Sequence, residues 1–390
     1  MAASLRAHLA GEEVAALAGA RRALLALVVT VAVTGCTDSS NRDASDGTAS
    51  TPAAPPASAS APSTSGPTPE PTPSPDDPSQ SASPGTGVIT LGFAGDVHFE
   101  RQLRSLLRRP LGSALGDIAT VLRQPDLMML NLEASITRRG TPEPKEYRFR
   151  TSPTALELLD AAGVDLVTMA NNHAVDYGAV GLSDTLNAIR ASPIPVVGIG
   201  RNAQAAWRPH ITSIRGTAVA VFGASTKPDR TAKVWSAGPD KAGVAIAITP
   251  RQRLLRAVGE AAATTDVVVA YLHWGQEYQP CPTGSQLRHA RALAAAGADV
   301  VVGSHAHVLL GSGRLDDTYV NYGLGNFLWY NQNSIDTGVL QLRIRNGEVL
   351  GDSWTPARIQ PDGRPQIVPG PARAAEIEDW RQLQECAAQD

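Results

Sequence analysis

The sequence predicts an α/β fold, and two observations carry the prediction. A unit of helix, glycine, apolar strand and polar loop recurs. "AAGVDLVTMANNH" and "AAGADVVVGSHAH" repeat one design, and a looser third copy runs into His273. The strands in these units are apolar throughout, which a sheet covered by helices on one or both faces requires.

Each element has a local reason. Residues 88–94 (VITLGFA) form a short apolar run that breaks at Gly95, and 127–130 (LMML) form another that breaks at Asn131. Residues 153–162 read as a helix, with proline in the first turn and Gly163 as its stop. A strand over 165–169 follows. A helix over 250–263 feeds a strand over 266–272, and a helix over 286–296 stops at Gly297 before a strand over 299–302. A charged helix is expected over 372–383.

Composition divides the chain into four parts. Residues 37–86 hold Ser, Thr, Pro, Ala and Asp with no large apolar side chain, so they are expected to stay disordered as a partly stiff tether. Ahead of them, Arg21 and Arg22 precede the apolar run 23–33, which is too short to span a bilayer and suits a signal-peptide core. The run ends in Val33-Thr34-Gly35-Cys36, which resembles the bacterial lipobox, so 1–36 reads as a lipoprotein signal with Cys36 lipidated. This predicts an exported protein, held at the outer face of the cell membrane through its lipid anchor only. Residues 87–345 are expected to form the main domain and 346–390 a C-terminal extension with a terminal helix. With 34 basic and 37 acidic residues and no dense Lys/Arg run, nothing marks a nucleic-acid partner.

Polar side chains gather where the apolar runs end: Asp96 and His98; Asn131 and Glu133; Asn171, Asn172 and His173; His273; His305 and His307. Ligands in open α/β sheets bind outside the carboxyl ends of strands. His305 and His307 sit at i and i+2, so an extended backbone would aim both at one face, roughly 7 Å apart. Taking Asp96, His98, Glu133, Asn172, His273, His305 and His307 as ligands gives a mixed oxygen and imidazole set. That suits Mn, Fe, Zn or Co better than Mg or Ca. Seven ligands exceed what one catalytic ion uses and fit a pair bridged by a carboxylate.

The series "GFAGDVHFE", "NLEASIT", "KEYRFR", "ANNHAVDYG", "LHWGQEY", "GSHAHVL" and "YGLGNFLW", in this order, resembles the CapA family. Those proteins are associated with poly-gamma-glutamate capsule synthesis, and their domain is related to the calcineurin-like metallophosphoesterases. The resemblance implies a four-layered α/β/β/α sandwich of the metallophosphoesterase type. It also implies two divalent transition metals, with Glu133 as the bridge and His173 as a catalytic acid that is not a ligand. Two positions depart from the phosphoesterase pattern: the bridging residue is Glu where Asp is usual, and the last motif is a short Gly-Ser-His-Ala-His. The implied substrate is an anionic envelope polymer or a phosphorylated compound, with membrane-bound polymer synthases as partners. Two activities remain open, metal-dependent hydrolysis and non-hydrolytic polymer binding or assembly.

Around this set, Asp176 is placed to orient His173. Lys145, Arg148 and Arg150 alternate with aromatics as in a cationic strand, and with Asn171 and Asn326 they are assigned to substrate. A solvated edge strand protected by charge explains the same alternation. Once Cys36 is acylated, Cys281 and Cys386 are the two thiols left, and in an oxidising compartment they are expected to pair.

Overall fold

The computed structural model describes residues 87–248, 252–330 and 334–387. The signal segment, Cys36 and the tether therefore lie outside the described residues.

Two sheets carry the domain. The eight-stranded one runs, in spatial order, Pro365–Ile367, Glu348–Ile359, Asp336–Arg345, Ile89–Val97, Leu127–Leu132, Leu166–Thr168 and Val196–Val197, with Asn326–Leu328 pairing onto the end of Ile89–Val97. The six-stranded sheet runs Leu309–Leu315, Thr318–Leu324, Val300–Ser304, Val267–His273, Thr217–Ser225 and His210–Ile214. The inner strands of both are parallel, and antiparallel strands form every edge but one, Val196–Val197, which pairs parallel.

Alternation along the strands sets the layers. Leu91, Phe93 and Met129 from the first sheet meet Val267, Val269, Tyr271, Val300 and Val302 from the second in one buried cluster between the sheets. The intervening residues face outward. Met128, Leu130 and Val167 pack under the helix Thr154–Ala162 through Leu158 and Leu159. Val268, Ala270 and Leu272 pack under Gln252–Ala262 and Gly284–Ala295 through Val258, Ala290 and Leu293. Helix, sheet, sheet, helix is the four-layered α/β/β/α arrangement, and it explains why these strands lack a polar face: both faces are covered.

The helix stops behave as their chemistry requires, with Gly163 at φ 99° and Gly297 at φ 97°. Four expectations change. The first strand does not break at Gly95 but continues to Val97, because Asn326–Leu328 pairs with its end in register Asp96 to Asn326. Gly95 instead permits a crossing, since a Cβ there would stand 2.0 Å from the Gly325 carbonyl oxygen. Likewise Leu127–Leu132 runs through Asn131, which pairs with Asp96. The "PKEYRFR" segment forms no long strand, and only Arg150–Thr151 pairs, with Ser135–Ile136. The boundary expected at 345 falls inside a hairpin, since Glu348–Ile359 pairs along the whole of Asp336–Arg345.

Candidate metal centre

Five strand ends, three from the first sheet and two from the second, deliver their polar residues to one place. Asp96 is held from both sides. Its Oδ1 accepts from Asn131 Nδ2 at 2.7 Å, and its Oδ2 accepts the backbone N–H of His305 at 2.9 Å. Glu133, one residue past its strand, is fully buried, and neither of its carboxylate oxygens has a hydrogen-bond partner. His273 ends its own strand, with Nε2 2.7 Å from Asn172 Oδ1 and 3.4 Å from Glu133 Oε1. His307 Nδ1 lies 2.8 Å from Asn326 Oδ1, which leaves Nε2 as the ring nitrogen that could ligate a cation.

His305 and His307 arrive by a route other than the expected extended one. The strand stops at Ser304, and both residues take left-handed backbone, φ 88° and 58°. Non-glycine residues seldom hold such angles unless the surroundings fix them, and such strain gathers at functional sites. The turn still brings the rings together, 5.8 Å between centroids. Gly303 before them is required by packing, because a Cβ would stand 2.2 Å from Trp274 Nε1.

Two groups of donor atoms lie within 4.8 Å of one another among the described residues: Glu133, His305 and His307; and Asp96, Glu133 and His273. Glu133 belongs to both. Burial, followed by the Asp96 charge, pushes its carboxyl up to about 8. Burial drives the His273 imidazolium down to about 3 and holds His305 well below its ordinary range. Burial thus favours the neutral imidazole at both residues. Leaving the Glu133 oxygens and both His305 ring nitrogens buried without partners costs about 1–3 kcal/mol per group. A cation removes that cost, and the donor set suits a transition metal. The residues present fit one.

His98 stands apart from both groups. Its Nδ1 accepts the Glu100 backbone N–H at 3.1 Å, and its ring sits among Phe149, Trp329 and Tyr330 with centroids 4.7, 4.2 and 4.5 Å away. A neutral ring accepting at Nδ1 carries its proton on Nε2, so ligation there requires the Glu100 contact to yield.

His173 is 2.5 Å from Asp176 Oδ2 through Nδ1, and its Nε2 is 3.9 Å from Glu133 Oε1. Asp176 also accepts from the Phe149 N–H at 2.8 Å and from Lys145 Nζ at 2.6 Å. Lys145 donates as well to the Asn172 carbonyl, so it ties Asp176 to the backbone beside His173. The substrate assignments land variously. Arg150 stacks on Tyr177 at 3.7 Å, and Asn171 spends its side chain on Asn131, Leu132 and His173. Asn326 orients His307, and Arg148 is exposed. Residues beyond the ligand motifs complete the site: Asn131 links Asp96 to Asn171, and Ser135 Oγ accepts from the Asp176 N–H at 2.8 Å. Both lie in "NLEASIT", whose polar residues at alternate positions were the available signal.

Cys281 and Cys386 are joined by a disulfide, with Cα atoms 5.2 Å apart. It ties the C-terminal helices Ala372–Gln382 and Gln384–Ala387 to the loop after His273. In that loop Tyr278 donates its N–H to the carbonyl of Ala306, between the two histidines, at 2.8 Å.

The fold and site define a two-sheet α/β protein with a buried, mixed carboxylate–imidazole centre at its strand ends. The family model for the bacterial capsule synthesis protein PGA_cap matches residues 90–331, and the chain belongs to that family. It is 29% identical over 246 residues to the PGA biosynthesis protein CapA of Bacillus subtilis, covering 62% of this chain and 63% of that protein. It is 26% identical over 288 residues to the capsule biosynthesis protein CapA of Bacillus anthracis, covering 72% and 69%. The matched segment is 27% identical to a probable polyglutamine synthesis accessory protein of Mycobacterium tuberculosis, over 55% of this chain and 61% of that one. The chain thus spans less than two thirds of the first and third relatives. Among solved structures, a hypothetical protein from Thermus thermophilus aligns with TM-score 0.46 and 17% identity, over 69% of this chain and 99% of that one. The 5'-nucleotidase of Candida albicans aligns with TM-score 0.42 and 12% identity, over 76% and 57%.

Proposed function

We propose that this protein is a surface-anchored, metal-dependent hydrolase of the phosphoesterase type, acting in the synthesis of a capsule or envelope polymer of the polyglutamate kind. One observation carries the reading: Glu133 is shared by both groups of close donors and, among the described residues, has no hydrogen-bond partner for either oxygen. That is what a carboxylate bridging two ions requires. Asp96, Glu133, Asn172, His273, His305 and His307 would hold two divalent ions, Mn, Fe or Zn, with His98 completing the set. Such a pair lowers the pKa of bound water and offsets charge on a tetrahedral transition state. The chain's own contribution is the His173–Asp176 pair. Asp176 fixes the proton on Nδ1, so Nε2 faces the cluster and can deliver a proton to a leaving group when charged.

The names of the relatives support the capsule setting, and the sequence of residues 1–36 supports export and anchoring. Metal analysis of purified protein, followed by aryl phosphate hydrolysis with and without chelator, tests the reading. About two ions per chain and chelator-sensitive turnover are expected. No metal after reconstitution with Mn2+ or Zn2+ would end it. Polymer binding without turnover would favour the second reading, an assembly factor that uses the same centre.

A further inference from the structure

Glu143 is only 9% exposed, yet it takes no part in the ligand set or in the acid pair described above. Its backbone joins the acid pair's side of the centre. The Glu143 N–H donates to the Asp176 carbonyl at 2.8 Å, and its own carbonyl accepts the Lys145 N–H at 2.8 Å. Its carboxylate reaches elsewhere, to the helix Arg230–Trp235. Oε2 accepts from Arg230 Nε, and Oε1 accepts from Trp235 Nε1 at 3.1 Å. Pro142 and Pro144 flank the residue, so this segment has few conformations to lose on folding.

The helix it grips belongs to a segment that touches two candidate ligands through their backbones. Thr226 donates its N–H to the His273 carbonyl at 3.0 Å. Thr231, which is buried, donates its hydroxyl to the Asn172 carbonyl at 2.6 Å. That carbonyl thus receives both Thr231 and Lys145. Asp229 caps the helix by accepting the Ala232 N–H at 3.0 Å, and it also lies 3.9 Å from Lys145 Nζ. Residues 226–235 follow the second-sheet strand Thr217–Ser225, whereas Asn172 and Asp176 follow the first-sheet strand Leu166–Thr168. Glu143 joins the two by a charged contact.

Stability is a weak reason for that contact, because desolvating a carboxylate offsets much of what its ion pair returns. Fixed geometry is a better one, since a group that transfers a proton needs a supporting shell to hold it in line. We propose that Glu143 is a positioning residue: by gripping Arg230 and Trp235 it fixes the helix against the loop of Lys145, and so sets Asp176 and His173 for proton delivery. It acts through Lys145 and Asp176, so its effect falls on the proton and not on the ions. The assignment rests on the hydrolase reading with His173 as the acid, but half of its test needs no turnover.

The first measurement compares two esters in the full chain loaded with Mn2+. Phenyl phosphate has a leaving group that needs a proton, and 4-nitrophenyl phosphate has one that departs without it. Glu143→Ala should lower kcat about tenfold more on the first than on the second, with KM and Mn2+ affinity close to the parent's. Equal loss on both esters overturns the proposal, as does loss of Mn2+ affinity, since a merely structural defect does not distinguish leaving groups. Adding Arg230→Ala to Glu143→Ala should change nothing more, because the two residues form one contact, and multiplied losses overturn it. Glu143→Gln, isosteric and uncharged, carries the same test should the alanine variant not fold. The second measurement is made in chelator. The proton between His173 Nδ1 and Asp176 is followed as a downfield NMR line, identified by its loss in His173→Asn. Glu143→Ala should hasten its exchange with water, and exchange as slow as the parent's overturns the proposal. Failure of the parent to hydrolyse either ester would end the hydrolase reading, and the exchange rate would still decide whether Glu143 sets the His173–Asp176 contact.

Discussion

The two halves of the centre are built differently. On the side of the first sheet, both Asp96 oxygens are engaged, Asn131 and Asn171 interlock, and Asp176 collects three donors. On the side of the second sheet, His305 has two unpartnered ring nitrogens and, like His307, a strained backbone. The first side is held mainly by protein hydrogen bonds, with Glu133 and His98 Nε2 left unpartnered among the described residues. On the second, His273 is hydrogen-bonded to Asn172, while the His305 ring is placed by its turn. Protein hydrogen bonds are thus concentrated around His173 and Asp176, and unpartnered donor atoms around Glu133 and His305.

The largest break in this contrast comes at the residue both halves share. Glu133→Gln should lower affinity for Mn2+ by more than the ~10–100-fold typical of outer-shell changes, and turnover should fall with it. Calorimetric Mn2+ titration measures it, and parent-like affinity would remove Glu133 from the bridge. Next comes His173→Asn, on the side held by hydrogen bonds, which should retain metal while turnover drops ~10²–10⁴-fold. Loss of metal in that variant would place His173 among the ligands. Lys145→Met removes the brace under Asp176 and the Asn172 carbonyl, and a fall of about tenfold in turnover with unchanged KM is expected. A raised KM instead would return Lys145 to the substrate.

The smallest effect is on stability in chelator. Folded Glu133 titrates at about 8 against an ordinary 4.5, so the folded state binds the extra proton between these values and loses stability as pH rises through them. His98, His273 and His305 act oppositely, being held below 6.5 when folded, and their contribution is complete above that pH. Between pH 6.5 and 8 the Glu133 slope stands alone, so denaturant midpoints should fall with pH. Glu133→Gln should flatten that slope, and an unchanged slope in the variant would assign it elsewhere.

Much of this was legible in residue order. Gly163 and Gly297 marked helix ends because only left-handed backbone serves there, and apolar runs ending in His, Asp or Asn marked strand termini. What stayed hidden depends on partners far along the chain. Gly95 reads as a strand end without the 324–326 crossing, and the partners of Lys145 and Asn326, Asp176 and His307, lie 31 and 19 residues away in the chain. His305 and His307 share a site through a turn that spacing alone presented as a strand. The hairpin across 345 is hidden in the sequence because its second strand, Glu348–Ile359, carries polar residues that do not resemble a core strand.

The Cys281–Cys386 bond closes a covalent ring that contains His305 and His307 and excludes Asp96, Glu133 and His273. An ion joining these residues would close a second loop, threaded through the first set of constraints. Two closures that each restrict the same segment assist one another, and the assistance is reciprocal by necessity. Whatever factor the disulfide adds to metal affinity, metal must add to the disulfide's resistance to reduction. The disulfide's reduction potential would therefore report ion binding, and a reductant titration with and without Mn2+ would measure the coupling from the sulfur side.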